Sequence, residues 1–320
     1  MNILITGAAG FIGSNLSKKL VNDHYVIGID NFDPFYSRLI KDNNIEPLNS
    51  NPRFEFYETD ILDSKFNKII ETNNIDIIFH LAGKAGVRPS IEDPVGYTKN
   101  NIEATVKLME LASQNSISDI VFASSSSVYG NNDKVPFSEN DRVDFPISPY
   151  AATKKACELL THTYAKTKDM RIAAMRFFTV YGPGQRPDLA INKFTRMIDE
   201  GTPIPFYGDG TTERDYTFID DIVHGLENVM DWLLNQPRGT WDVFNLGESQ
   251  TTSLSSLVTL IQNALGKKAI IDRQPMQLGD VQRTFADISK SKKTFGFNPK
   301  TKITEGIPLY VEYYKSQKEL

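Results

Sequence analysis

The chain has a single cysteine, Cys157, and four histidines in 320 residues. One thiol cannot close an intramolecular disulfide, and the scattered imidazoles form no Cys/His cluster of metal-ligand spacing, so no metal is expected. Excess positive charge is also missing: 35 Lys and Arg stand against 40 Asp and Glu, a formal net charge of −5. Nucleic acid and anionic membrane surfaces are therefore not expected partners. No apolar run approaches the roughly 18 residues of a membrane span. The chain opens on a β-type apolar run with no basic leader, so neither secretion nor insertion is expected, and reducing cytoplasm is the expected location. Internal repeats and low-complexity linkers are lacking too, and the Asn-rich stretch 41–51 reads as an exposed loop.

What is present begins at residue 2. Asn2-Ile-Leu-Ile-Thr6 reads as a short buried strand running into Gly7-Ala-Ala-Gly10-Phe-Ile-Gly13, followed by a helix pattern with Leu16, Leu20 and Val21 on its apolar side. Glycines permit a tight turn and close approach of a pyrophosphate, and the helix start offers free N–H groups and a positive dipole end. The next apolar run, Tyr25–Ile29, ends in Asp30-Asn31. A carboxylate there accepts hydrogen bonds from an adenosine ribose and repels a 2′-phosphate, which favours NAD over NADP; the same aspartate also suits the start of a turn. Further β-rich runs (54–57, 75–79, 120–123, 172–175, 243–246) alternate with helical patterns, which implies βαβ units and an α/β fold built on a doubly wound parallel Rossmann sheet. At this length we expect a large domain of residues 1–181 plus 215–247 and a smaller α/β substrate domain of 182–214 plus 248–320. Ligands on such sheets bind beyond the carboxyl ends of strands, where Asp60-Ile61, His80-Leu-Ala-Gly83 and Ser124 to Ser127 fall.

Tyr150-Ala-Ala-Thr-Lys154 places a phenol and an ammonium one helical turn apart. A phenol titrating near pH 10 is a poor base at neutrality, and a neighbouring cation favours its phenolate. Alone, the YxxxK string reads as an exposed helical pair. Behind a cofactor-type glycine loop and beside a serine run, it points to proton and hydride chemistry.

Over nearly its whole length the sequence resembles the extended short-chain dehydrogenase/reductase superfamily, in its nucleotide-sugar epimerase and dehydratase branch. The resemblance is carried by TGAAGFIGS at the start, Asp30-Asn31, HLAG at 80–83, SSSSVYG at 124–130, SPYAATK at 148–154, RFFTVYGPGQRP at 176–187 and GDGTTERDYTFIDDIV at 208–223. It implies that Tyr150 is the catalytic base, Lys154 its electrostatic partner and ribose contact, and Ser125 the contact to the sugar hydroxyl. Gly7, Gly10, Phe11, Ile12, Gly13, Asp30, Asn31, Asp60, Ile61, Leu81, Ala82, Lys84 and Asn101 are implied to hold NAD together with the Tyr-Lys pair. Arg214, Asp280 and Arg283 are implied at the nucleoside diphosphate.

Three segments look like UDP-glucuronate 4-epimerases: 84–88, Thr179-Val-Tyr-Gly with Gln185-Arg186-Pro-Asp188, and 278–287. Lys84 and Gly184-Gln185 depart from that subgroup's pattern. A uronate carboxylate must be hydrogen-bonded or paired when desolvated, and Arg88, Arg186, Ser126, Ser127 and Thr179 are the expected shell. Arg88 equally suits a loop cap or a cofactor phosphate, and Arg186 a surface position. The segment 125–127 is all serine, where related decarboxylases and 4,6-dehydratases usually carry an acid, so simple 4-epimerisation of UDP-glucuronate is favoured. UDP-glucose or UDP-N-acetylglucosamine 4-epimerase, the decarboxylase and dehydratase activities, and a non-enzymatic NAD sensor are the alternatives. Phe206 is expected either near a uracil or in plain packing. Helical patterns over 97–112 and 151–164 carry Leu108, Leu111, Leu159 and Leu160, and a homodimer follows by resemblance, although burial against the sheet gives the same stripes.

Overall fold

The computed structural model describes residues 1–276 and 281–318. Among the described residues twelve strands are formed: β1 (Asn2–Thr6), β2 (Tyr25–Asp30), β3 (Phe54–Glu58), β4 (Ile77–His80), β5 (Asp119–Ser125), β6 (Arg171–Phe177), β7 (Thr179–Tyr181), β8 (Ile204–Tyr207), β9 (Glu213–Phe218), β10 (Trp241–Leu246), β11 (Thr251–Ser253) and β12 (Ile271–Gln274). Seven of them make one sheet in the order β10-β6-β5-β4-β1-β2-β3. Every pairing in it is parallel. The order reverses between β1 and β4, and such a switch point opens a crevice at the carboxyl ends of the strands.

Strands buried on both faces need apolar side chains both ways, and β1 supplies them: Ile3 and Ile5 join one core cluster, Leu4 the other. The helices Phe11–Leu20 and Ile219–Leu234 cover the first face, and Ser64–Thr72, Ala104–Gln114 and Pro149–Thr167 the second. Beyond the sheet, β7 and β11 flank β9, and β8 pairs with β12. The first apolar cluster runs on through Phe206, Leu257, Ile261 and Tyr310, so sheet and C-terminal elements share one core.

Two local expectations need correction. The stretch 41–51 is not an exposed loop: Arg38–Ile45 is a helix and Glu46–Leu48 a 3₁₀ turn. Ile45 and Leu48 are buried, and the Asn44 side chain donates to Ala9 O at 3.1 Å instead of to a turn of its own. The helix expected over 97–112 is interrupted by a π-helical segment, Thr98–Glu103, before Ala104–Gln114. There the Asn101 carbonyl accepts from Thr105 Oγ1 at 2.5 Å and Cys157 Sγ at 3.3 Å. Side-chain insertion of this kind disturbs a helical ladder, and π segments recur at functional sites. Leu108 and Leu111 are buried against the sheet, whereas Leu159 is exposed.

Candidate active site

The glycine turn is built by close approach. A Cβ at Gly7 would stand 2.9 Å from Ala82 N, and one at Gly13 only 2.2 Å from Gly7 O. Gly7 also has φ of +73°, which glycine adopts without strain. Gly10 caps the helix Phe11–Leu20 with no side-chain bond and no acid in its first turn. Its leading N–H groups are therefore left to a ligand, the arrangement that suits a pyrophosphate.

A cavity of about 440 Å³ lies over this turn. It gathers Gly7, Gly10, Phe11, Ile12, Gly13, Asp30, Asn31, Asp60, Ile61, Leu81, Ala82 and Lys84 on one side. On the other it gathers Ser125, Ser126, Ser127, Tyr150, Lys154, Thr179 and Arg186. The first set fits a dinucleotide by its donors and acceptors. Asp30 Oδ1 accepts from Phe32 N at 2.8 Å and from Lys41 Nζ at 3.1 Å. Oδ2 remains to accept a ribose hydroxyl. Asn31 is fixed to Asp60, Nδ2 to Oδ2 at 2.6 Å.

Ser148 sets the helix that carries Tyr150 and Lys154. Its Oγ accepts from Ala151 N at 3.1 Å, and Pro149 occupies the first helical turn, where its missing N–H costs nothing. Tyr150 is thereby held in the first turn, 9% exposed, and Lys154 one turn on, 5% exposed. Lys154 Nζ donates to Ala123 O at 2.7 Å and lies 5.2 Å from the Phe122 ring centroid. Burial pulls its pKa down to about 8. Burial pushes the Tyr150 phenol up, while a hydrogen bond with Ser125 and the charge of Arg186 pull it back. The relief expected from Lys154 is thus supplied here by Ser125 and Arg186, because the ammonium is turned to the end of β5.

The serine run divides its work. Ser124 Oγ donates to Glu158 Oε1 at 2.6 Å, and the buried Glu158 also takes Arg176 Nε at 2.8 Å and Nη2 at 2.9 Å. Ser125 Oγ accepts from Ser127 N at 3.1 Å and meets Ser127 Oγ at 3.1 Å, which holds the turn Ser126–Tyr129 with its hydroxyls at the cavity. Asn101 lies behind the cavity wall. Its amide brackets Lys84, accepting from Lys84 N at 2.8 Å and donating to Lys84 O at 3.0 Å and Thr153 Oγ1 at 2.9 Å. Lys84 Nζ pairs with Asp93 at 2.9 Å.

Arg186 lines the cavity but is already engaged, Nε to Asp188 Oδ1 at 3.0 Å and Nη2 to Oδ2 at 2.6 Å. Four expected substrate residues lie outside the cavity. Arg88 is exposed, its guanidinium 5.3 Å from the Tyr207 ring centroid. Phe206 is packed in the core under Arg273, the plain-packing alternative. Arg214 donates to Glu213 O at 2.9 Å, and Arg283 pairs with the Glu213 carboxylate. Asp280 lies outside the described residues. Sequence reasoning passed over Lys41, Tyr36, Asp188 and the Glu158–Arg176 pair. The last had a signal: Glu158 follows Lys154 by four residues, hence shares its buried helical face.

A doubly wound parallel sheet whose switch-point cavity joins a glycine turn to a buried Tyr-Lys helix defines an enzyme scaffold of the short-chain dehydrogenase/reductase class. The family model described as GDP-mannose 4,6 dehydratase matches residues 4–309, and the chain belongs to that extended family. It is 39% identical over 320 residues to a UDP-glucuronate 4-epimerase of Thermodesulfobacterium geofontis, covering 99% of this chain and 97% of the relative. A UDP-glucuronic acid 4-epimerase from Bacillus cereus, solved with UDP-glucuronic acid and NAD, superposes with a TM-score of 0.92 at 35% identity, covering 99% of this chain and all of the other. A UDP-glucose 4-epimerase of Thermotoga maritima, solved with UDP-glucose, gives a TM-score of 0.89 at 32% identity, with 99% and 100% covered. Among the described residues, no group of His, Cys, Asp and Glu is placed to hold a metal, and no helix is long and apolar enough to cross a membrane.

Proposed function

We propose that the chain is an NAD-dependent 4-epimerase of a UDP-sugar, acting on UDP-glucuronate to give UDP-galacturonate. The observation that carries this reading is the shared cavity, in which Tyr150 and an arc of hydroxyls from Ser125, Ser126, Ser127 and Thr179 face the glycine turn. Tyr150 Oη takes the proton of the C4 hydroxyl, with Ser125 bridging the two oxygens. Bound NAD supplies the hydride acceptor at C4 and the donor that restores a C–H bond there. Loss of the C4 stereocentre in the ketone and its return on the other face account for inversion, with no net redox change. Gly7, Gly10 and Gly13 hold the pyrophosphate, Asp30 the adenosine ribose, and Leu81 and Ala82 the dinucleotide between them. Arg214, Arg283 and Asp280 anchor the nucleoside diphosphate.

The hydroxyl arc suits a carboxylate at C6, because it donates hydrogen bonds and carries no acid to assist elimination or decarboxylation. One observation favours a neutral sugar instead: the charge of Arg186 is already met by Asp188. A UDP-glucose 4-epimerase is therefore the second reading. The division into residues 1–181 plus 215–247 and 182–214 plus 248–320, a homodimer and a cytoplasmic location complete the proposal. Incubation of the purified protein, without added cofactor, with UDP-glucuronate, UDP-glucose and UDP-N-acetylglucosamine, followed by proton NMR, tests it. Conversion of the uronate alone to its galacto epimer supports the first reading. Turnover of a neutral sugar alone supports the second, and release of a pentose contradicts both.

A further inference from the structure

Asn245 is fully buried in β10, yet its amide has a partner for both donors and its oxygen. Oδ1 accepts from Tyr129 OH at 2.6 Å, and Nδ2 donates to Phe137 O at 2.9 Å and to Asp287 O at 3.0 Å. Its backbone is held as well, the N–H by Glu139 Oε1 at 2.8 Å and the carbonyl by Ser291 Oγ at 2.6 Å.

These partners belong to two different parts of the site. Tyr129 ends the turn that carries Ser126 and Ser127, and its ring stacks on Phe137 with centroids 4.8 Å apart. The Arg176 guanidinium, paired with Glu158, also lies 4.8 Å from the Tyr129 ring centroid. Asp287 ends the strap 281–287, which also carries Arg283. The strap is clamped to β9 by Glu213 N to Gln282 O at 3.0 Å and Thr284 N to Glu213 O at 3.1 Å. Asp215 Oδ2 accepts from Ala286 N at 3.0 Å beneath it, and Phe137 N donates to Phe285 O at 2.7 Å. The amide of Asn245 is therefore the joint between the serine turn and the strap. A shift of the strap would strand the Nδ2 donor to Asp287 O, and a shift of the turn would strand the Oδ1 acceptor, both buried and costly to leave unpaired.

We infer that Asn245 is a positioning residue which, through Tyr129, couples nucleotide anchoring on the Arg283 strap to the placement of the reacting serines. The inference rests on the proposed roles of Arg283 and Ser125. Coupling of this kind is carried by a contiguous buried hydrogen-bond chain, and a double-mutant cycle measures it.

The test uses the full chain, with Tyr129→Phe, Asn245→Asp and the double variant. Asn245→Asp keeps the acceptor for Tyr129 and removes the Nδ2 donors to Asp287 O on the strap and to Phe137 O. The readouts are the Kd of UDP by calorimetry, kcat and KM for the epimerised UDP-sugar, bound NAD and Tm. Tyr129→Phe is expected to weaken UDP binding about three- to tenfold although its hydroxyl faces Asn245 and not the strap, and Asn245→Asp to lower kcat about tenfold. The double variant is expected to fall short of the product of the single effects by about fivefold. UDP affinity within about twofold of wild type in Tyr129→Phe, or fully multiplicative effects, would overturn the coupling and leave a merely structural amide. Should Asn245→Asp fail to fold, the UDP titration of Tyr129→Phe decides alone. A wild-type chain that binds UDP but epimerises no UDP-sugar overturns the proposed reaction and leaves the titration to judge the coupling; one that binds no UDP overturns both.

Discussion

At the scale of single residues, the site works against its own burial. Tyr150 is pushed toward the neutral phenol and Lys154 toward the neutral amine, each by desolvation, and Ser125 and Arg186 oppose the first shift. Tyr150→Phe removes the proposed proton acceptor without removing the ring that packs against Tyr97 at 6.2 Å. We expect kcat to fall by about 10²-fold or more, with bound NAD and Tm nearly unchanged; retained turnover would contradict the assignment. Lys154 has a pKa of about 8, so its positive charge is present below that pH and lost as pH rises through it. If that charge serves the reaction, the alkaline limb of kcat/KM, which reports groups of the enzyme free of sugar substrate, lies near pH 8 in the wild type. In Lys154→Arg, whose guanidinium does not titrate, this limb should move upward even though kcat is lower. The same shift has a stability sign. The folded state binds fewer protons than the unfolded chain between about pH 8 and the ordinary lysine value, so Lys154 makes stability rise with pH across that window.

The elements place these residues, and the sequence shows some of them better than others. The glycine turn was legible because close approach of backbones tolerates only glycine, and the strands were legible because burial on both faces leaves only apolar choices. The helix Arg38–Ile45 was not, because its asparagines resemble turn formers, whereas the Asn44 side chain is used for a tertiary bond to Ala9 O. Nor was the π-helical segment at Asn101, whose carbonyl accepts from Cys157 Sγ of the packed helix Pro149–Thr167, a partner that no local pattern reveals. The start of the catalytic helix is a clean local case. Ser148→Ala should cost about 1 kcal/mol of stability through the lost cap, read as a fall in the urea midpoint. Because the cap stands two residues before Tyr150, kcat should fall with it, while UDP affinity should hold.

For the whole molecule, one apolar cluster joins the sheet to the C-terminal helices, so cofactor side and substrate side are expected to unfold together in a single transition. Of the leucine stripes that suggested a homodimer, Leu108 and Leu111 are accounted for by the sheet, and Leu159, 58% exposed on the helix of Tyr150, is the position we propose for contact with a second copy. Leu159→Glu should therefore shift the sedimentation coefficient from dimer to monomer, and an unchanged value would remove this helix from the interface. Periodicity marked those positions as apolar but was silent on which neighbour covers them. The arginines illustrate the same limit, since Arg186 reaches the cavity only with Asp188 attached and Arg283 is held by Glu213, pairings that no spacing rule reveals. The central claim is a hydride that leaves C4 and returns to it within one active site. UDP-glucuronate deuterated at C4 tests it most directly, with the product resolved by NMR and mass spectrometry. Full retention of deuterium at C4 of the galacto epimer, with none washed into solvent, is the expected result. Loss of the label to water, or inversion without a kinetic isotope effect at any stage of turnover accompanied by such loss, would contradict it.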